Sequence, residues 1–135
     1  MTVSALALTL FIAWTLALLV LMEVLRSRLV LLGQVRSNGF TPDNANLSPF
    51  MQRLARAHAN CLENLPLFGG LLVVALVTGR HGVTDPLALW LVAARVVQSL
   101  IHLASTSVWA VNFRFTAFVV QTGIGVWWAW QLLVG

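Results

Sequence analysis

The segment RLARAHANCLENLPLF, residues 53–68, decides how this chain is interpreted. It places two arginines, a histidine, two asparagines and a glutamate at the start of a stretch that is otherwise apolar up to Thr78. A membrane-spanning helix needs about 20 mainly apolar residues. Residues 65–79 supply only 15 uncharged positions. If this segment crosses a membrane, its charged first half must therefore belong to the same helix.

The composition of the whole chain indicates a membrane protein. Of its 135 residues, 59% are hydrophobic and 9% are charged, against about 25% charged residues in a typical soluble domain. Further apolar stretches cover residues 2–22, 87–109 (interrupted by Arg95) and 115–135. We therefore predict an all-α membrane protein, a bundle of four transmembrane helices at about 2–32, 49–78, 86–108 and 113–134, forming one domain over residues 1–135. Ser48-Pro49 and Asp85-Pro86 resemble helix starts, with a capping residue followed by proline.

Several other classes of protein are disfavoured. No basic residue precedes the first apolar segment and no small-residue cleavage site follows it, so a cleaved signal peptide is not expected. Cys61 is the only cysteine, which excludes an internal disulfide. The histidines at positions 58, 81 and 102 lack the spacing of metal ligands, so no metal site is predicted.

The basic residues are all arginines, and their placement predicts the topology. The first connection with its flanks, and the third connection, carry most of them, namely Arg26, Arg28, Arg36, Arg53, Arg56 and Arg114. The positive-inside rule then places both connections in the cytoplasm and both termini outside. Nucleic-acid binding is not expected despite the pI of 11.5, because these arginines flank membrane spans and form no exposed basic face.

Helical periodicity groups the polar residues of the second and third helices into stripes. At 100° per residue, Arg53, Asn60, Glu63 and Asn64 fall within one arc around Arg56, whereas His58 falls on the opposite side. The third helix repeats the pattern with a stripe consisting of Arg95, Gln98, Ser99 and His102. A charged side chain at the centre of a bilayer costs about 2.5–3.5 kcal/mol, so we expect the two stripes to face each other.

Two interpretations of these stripes remain open. The first is an internal salt-bridge network in which Glu63 pairs with Arg56 or Arg95 and Asn60 bridges the helices. The second is a polar pocket that opens to the cytoplasm, where the surplus of arginines over acids calls for an anionic ligand. Guanidinium groups suit carboxylates in particular.

The same residues carry a resemblance to a known family. Arg56, Ala57, Asn60, Glu63 and Pro66 reproduce the spacing Arg-Ala-x-x-Asn-x-x-Glu-x-x-Pro of the MAPEG family, the membrane-associated proteins in eicosanoid and glutathione metabolism. The third-helix stretch RVVQSLIH, residues 95–102, is similar to the family's Arg-x-x-(His/Tyr)-x-x-x-Tyr pattern. The stretch NFRFTAFVVQTGIGVWWAWQLL, residues 112–133, resembles the last helix of microsomal glutathione transferases.

The resemblance implies a trimer of four-helix protomers that bind glutathione in clefts between neighbours on the cytoplasmic side. The compact form of the chain resembles bacterial members of the family, which implies a location in a bacterial inner membrane. By position, the implied glutathione-binding residues of one protomer are Arg53, Arg56, Asn60, Glu63, Asn64, Arg95, Gln98 and His102. Arg26, Arg28 and His58 are implied to reach the ligand of the adjacent protomer.

The resemblance also implies a chemistry and a catalytic residue. Arg114, expected at the start of the fourth helix, corresponds to the arginine that stabilises the thiolate of glutathione in family enzymes. The chain contains no tyrosine, and Phe115 lacks the hydroxyl that some members place after this arginine. The implied function is a glutathione-dependent transferase or peroxidase acting on lipophilic electrophiles or hydroperoxides that enter from the lipid bilayer. The alternatives are a glutathione-binding but inactive member with a structural or interaction role, and a small four-helix exporter.

Overall fold

The computed structural model describes residues 1–135 as four long α-helices without β-strands. The helices are α1 (Val3–Leu31), α2 (Pro49–Val77), α3 (His81–Ala104) and α4 (Val108–Val134). All four are long and apolar enough to cross a membrane. The predicted all-α architecture of four helices is therefore confirmed, with each helix a candidate membrane span, and the bounds of α1 and α2 agree with the prediction to within one residue.

Side-chain caps define three of the helix starts. The hydroxyl groups of Thr2, Ser48 and Ser107 accept hydrogen bonds from backbone N–H groups three residues further on, at the first turns of α1, α2 and α4. These caps satisfy N–H groups that have no partner within the helix. The Ser48-Pro49 start of α2 is as predicted.

The predicted start of α3 at residue 86 is wrong, because α3 begins at His81. Asp85 does not cap the helix. Its Oδ1 accepts hydrogen bonds from the backbone N–H and the hydroxyl of Ser4 in α1, and its Oδ2 lies 2.8 Å from Nδ1 of His81. Pro86 lies within the first two turns of the helix, where the loss of one N–H donor is tolerated more easily than in the middle.

The predicted start of α4 at residue 113 is also wrong, because the helix begins at Val108. The connection between α3 and α4 consists of residues 105–107 only. Ser107 ends this connection and accepts a hydrogen bond from the N–H of Ala110. Arg114 consequently lies nearly two turns into α4 and not at its first turn.

Helices α2 and α3 form the centre of the bundle, since each packs against all three other helices. Helices α1 and α4 flank them and do not contact each other. One apolar cluster joins all four helices through Phe11, Leu72, Leu91 and Trp128, each fully buried. A second cluster joins α1 and α2 nearer the α1–α2 connection. Between the two clusters lies a layer of buried polar side chains, which forms the base of the site described below.

Hydrogen bonds identify which connections share an end of the bundle. Ser4 contacts Asp85, and Arg80 donates to the backbone carbonyls of Gln131 and Leu132. Both chain termini and the α2–α3 connection therefore lie at one end. The α1–α2 connection, residues 32–48, and the α3–α4 connection lie at the other end, together with most of the arginines.

Candidate functional site: a polar cleft between α2, α3 and α4

A polar cleft of about 290 Å³ opens between α2, α3 and α4 toward the arginine-rich end of the bundle. Its polar lining consists of Asn60, Gln98, His102 and Arg114. Val111, Phe115 and Phe118 of α4 complete the wall. No acidic side chain lines this cleft, so its charge comes from arginine alone.

Arg95 lies beneath the cleft, with only 1% of the residue exposed. Its Nε donates to Oε1 of Gln121 at 2.9 Å, and its Nη1 donates to Oδ1 of Asn60. The guanidinium also lies over the ring of Phe11, 5.7 Å from the ring centroid. A buried charge without an acidic partner is costly, and here amide oxygens and an aromatic face provide the compensation. The remaining nitrogen, Nη2, has no hydrogen-bond partner in the chain.

Arg114 makes neither an ion pair nor a hydrogen bond within the chain. Its Nε is buried without a partner, while the side chain as a whole is half-buried at the wall of the cleft. Arginine is a permanent cation with five N–H donors. Arg114 therefore provides an unneutralised cation whose hydrogen-bonding capacity is free for a ligand. Arg114 is not at the first turn of α4, so the free backbone N–H groups of a helix start do not lie beside it; that start is capped by Ser107.

The two polar stripes meet as predicted at Asn60, Arg95 and Gln98, but not over their whole length. Arg56 and Glu63 are exposed and form no ion pair within the chain. The predicted ion pairs of Glu63 with Arg56 or Arg95 are therefore wrong, whereas Asn60 bridges α2 and α3 as that interpretation expected. Asn64 is buried and donates to the backbone carbonyl of Asn60. Exposed charges on a membrane helix require a partner outside the chain.

Arg53 and His102 lie on either side of the junction between α2 and the end of α3. The Nε of Arg53 donates to the backbone carbonyl of Leu103 at 2.9 Å, and its guanidinium lies 6.0 Å from the ring centroid of Phe50. Arg53 thus ties α2 to the last turn of α3. His102 lies on the neighbouring face of α3, where it is buried and lines the cleft.

The α1 residues among the predicted site residues lie on the opposite flank of the bundle. Arg26 donates to Oδ1 of Asn44 through Nε at 3.0 Å and Nη2 at 2.6 Å, and also lies over the ring of Phe40. Arg28 is exposed, and His58 of α2 lies within electrostatic range of Glu23 and Arg26. Since α1 and α4 do not pack against each other, neither α1 arginine reaches the cleft.

Two buried polar residues that support the predicted site residues were not predicted from the sequence. Gln121 in α4 is 0% exposed and connects Arg95 with Gln98, and Asn44 in the α1–α2 connection is 0% exposed and holds Arg26. A glutamine within an apolar helix was the available signal for Gln121. Asn44 has a positive φ of 55° and donates to the carbonyl of Met51, and nothing in a polar loop distinguishes such an asparagine beforehand.

An apolar groove of about 600 Å³ adjoins the polar cleft along α2 and α4. Phe118 lines both cavities, so the two are neighbours. Small residues on both helices, including Gly70 and Gly125, create the space. No group of three or more His, Cys, Asp or Glu side chains is arranged to hold a metal ion.

Comparison with known proteins connects this arrangement to one family. The model of the MAPEG family matches residues 4–134, nearly the whole chain. Neither a curated protein nor a solved structure matches the chain. The match includes the α2 segment, the α3 stripe and the α4 arginine that build the cleft. This four-helix membrane protein belongs to the MAPEG family.

Proposed function

We propose that the protein is a glutathione-dependent membrane transferase or peroxidase acting on lipophilic electrophiles or lipid hydroperoxides. The observation that carries this proposal is Arg114, an unpaired cation with a buried, partner-free Nε at the wall of an acid-free cleft. Membership of the MAPEG family supports glutathione as the thiol. Arg114 is the proposed catalytic residue.

The proposed role of Arg114 is to favour the thiolate of bound glutathione. A free thiol has a pKa of about 8.5, so only a few per cent is ionised at neutral pH. A guanidinium beside the sulfur stabilises the anion. In the transferase reaction, the thiolate sulfur forms a bond to an electrophilic carbon and the leaving group takes the bonding electrons. In the peroxidase reaction, the sulfur takes an oxygen from the hydroperoxide, leaving an alcohol, and a second glutathione then yields the disulfide and water.

The proposed ligand position uses both the cleft and the charges beside it. Asn60, Gln98 and His102 would contact the part of glutathione near the sulfur, since they share the cleft with Arg114. The exposed Arg56 and Glu63 would bind the carboxylate and ammonium ends of the tripeptide. Arg53 and Asn64 adjoin these groups from α2. Arg95 supports this surface from beneath and does not line the cleft.

We further propose that the site is completed by a second protomer of a homotrimer. Within one chain Arg56 and Glu63 have no ionic partner, and Arg26 and Arg28 lie on the opposite flank. A neighbouring protomer would bring its α1 against α2 and α4, and with it Arg26 and Arg28 of that α1 and His58 of the adjoining α2. This arrangement would shield the exposed charges of α2 from lipid, which a membrane helix requires.

The proposed orientation puts the cleft in the cytoplasm, where glutathione is available. Six of the eight arginines lie at the same end of the bundle as the cleft, and the positive-inside rule places that end in the cytoplasm. The termini would lie outside, and a bacterial inner membrane is the proposed location. The apolar groove along α2 and α4 is the proposed route for a lipophilic substrate from the bilayer, because Phe118 lines both the groove and the cleft.

Activity of the purified, detergent-solubilised protein tests this proposal. Conjugation of glutathione to 1-chloro-2,4-dinitrobenzene and reduction of cumene hydroperoxide are the two reactions to measure. We expect wild type to catalyse at least one, and Arg114→Ala to reduce kcat by about 10²–10³-fold, the usual effect of removing one charge-stabilising donor. The control is Arg36→Ala, which removes an exposed arginine of the α1–α2 connection. Glutathione binding without either activity would instead indicate an inactive family member, for which the absence of tyrosine hydroxyls provides a reason.

A further inference from the structure

We infer that Gln121 is a positioning residue that orients the amide of Gln98, so that Gln98, together with Asn60 oriented by Arg95, presents N–H donors in the cleft and selects an anionic ligand group. The inference deepens the proposed function, and its glutathione part rests on it. Gln121 is fully buried in α4 and does not line the cleft. It acts through Gln98.

The polarity begins at Arg95. A guanidinium has only donors, so any amide that contacts it must turn its oxygen toward it. Asn60 and Gln121 both do so, through Oδ1 and Oε1. The orientation of these two amides is therefore fixed by chemistry, although an isolated amide could take either of two orientations.

Gln121 passes this orientation on to Gln98. With its oxygen on Arg95, its nitrogen Nε2 points away and donates to Oε1 of Gln98 at 2.7 Å and to the backbone carbonyl of Ala117 at 3.0 Å. Gln98 must then turn its own nitrogen the other way. Nε2 of Gln98 lies 3.4 Å from Oδ1 of Asn60, a long contact to an oxygen that Arg95 already occupies.

The result is a cleft wall with N–H groups in excess. Nδ2 of Asn60 has no partner within the chain, Nε2 of Gln98 has only a long one, and Arg114 is unpaired. Both amide oxygens are engaged within the network. A ligand group that only accepts hydrogen bonds, such as a thiolate, sulfonate or carboxylate, fits this wall, whereas a neutral thiol or thioether would leave donors unsatisfied.

The test uses two probes, glutathione and thiosulfate, the second being a small anion with no peptide part. Binding is measured from the dependence of the thermal unfolding temperature on probe concentration, and by calorimetric titration of the detergent-solubilised protein. The variants are Gln121→Met, which removes the donor without adding charge, and Gln121→Glu, which keeps an acceptor for Arg95 but cannot donate to Gln98. Gln131→Met and Gln131→Glu are the matched controls, because Gln131 lies on the same helix at the opposite end of the bundle.

We expect wild type to bind both probes, and both Gln121 variants to bind each about tenfold more weakly, a factor equivalent to one hydrogen bond to an anion. The Gln131 variants should bind like wild type. A merely structural role predicts something different, namely that Gln121→Glu, which pairs with Arg95, retains both stability and binding.

Three outcomes would overturn the inference: no thiosulfate binding by wild type, unchanged binding by Gln121→Glu, or weakened binding by Gln121→Glu alone. The last would assign the effect to added charge and not to amide orientation. If Gln121→Met does not fold, unchanged binding by Gln121→Glu still overturns the inference. Thiosulfate binding that depends on Gln121, without glutathione binding, would support the polarity of the cleft and reject the proposed function.

Discussion

Arg95 of α3 donates through Nη1 to Oδ1 of Asn60 of α2, and this contact joins the two central helices at the base of the cleft. The same guanidinium reaches α4 through Gln121 and α1 through the ring of Phe11. One buried cation therefore contacts all three other helices. Arg95 therefore supports the polar layer that the ligand would meet and also connects α3 with the other three helices.

Replacing Arg95 should lower the stability of the bundle, because its hydrogen-bond partners are left unsatisfied. In Arg95→Met, the buried Oε1 of Gln121 loses its donor, and an unsatisfied buried polar group costs about 1–3 kcal/mol. We expect a lower free energy of unfolding in detergent, measured by circular dichroism on titration with a denaturing detergent. Arg36→Met is the control, because Arg36 is exposed in the α1–α2 connection. Equal stability of the two variants would contradict the structural role of Arg95.

A pair of glycines in α4 tests the close approach of α2 and α4. A Cβ atom added at Gly125 would lie 2.8 Å from Cε1 of the buried Phe68, whereas one at Gly123 would meet nothing within 4 Å. We expect Gly123→Ala to be neutral or stabilising, since alanine favours helix by up to about 1 kcal/mol over glycine. Gly125→Ala should instead destabilise by about 1–3 kcal/mol because the packed ring must shift. Thermal unfolding of both variants makes the comparison, and the reverse order would refute this packing.

The contact between α1 and α3 predicts local protection at the terminal end of the bundle. Asp85 accepts hydrogen bonds from the N–H and hydroxyl of Ser4, and bonds to a charged acceptor contribute about 1.5–3 kcal/mol. Asp85→Ala should therefore increase amide hydrogen exchange in the first turns of α1. The comparison variant, Asp43→Ala, changes an acid at the other end of the bundle. If hydrogen exchange in Asp85→Ala is faster at the other end of the bundle but not in the first turns of α1, Asp85 has no such role.

The stability of the turn in the α1–α2 connection should depend on pH through the carboxyl of Asp43. Hydrogen bonds from the hydroxyl of Thr41 and then from the backbone N–H of Ala45 hold the pKa of this exposed carboxyl below its ordinary value. A lowered pKa means that the ionised form supports the turn. Its contribution is fully present above the ordinary pKa and is lost as the pH falls through the lowered one.

Carbon-13 NMR titration of the Asp43 carboxyl measures this shift directly. Thr41→Val should move the pKa back toward its ordinary value, since it removes the largest cause. A pKa unaffected by this substitution would exclude the hydroxyl as that cause.

The sequence was sufficient to predict the number of helices, the bounds of α1 and α2, and the meeting of Asn60 with Arg95 and Gln98. These features depend on apolar length and on helical periodicity, which are local properties of the chain. The start of α3 was mispredicted for a non-local reason. Asp85 looks like a cap beside Pro86, but its carboxylate is occupied by Ser4, which lies 81 positions earlier in the chain.

The internal structure of the site was harder to predict for the same reason. The pairing of Arg95 with Gln121 depends on how α4 packs against α3, and helical periodicity within either helix does not specify that contact. The sequence placed Arg95 in the ligand site itself, whereas the fold buries it beneath the cleft. Arg114 lies at the cleft, and its catalytic role stays a prediction; its distance from the start of α4 depends on the Ser107 cap.

The central claim is that Arg114 converts the thiol of bound glutathione into thiolate. The most direct measurement is the ultraviolet difference absorbance of thiolate when glutathione is added to wild type, Arg114→Ala and Arg36→Ala in detergent. We expect thiolate in wild type and Arg36→Ala, and bound glutathione without thiolate in Arg114→Ala. Thiolate formed equally by Arg114→Ala, or no glutathione binding by wild type, would contradict the account.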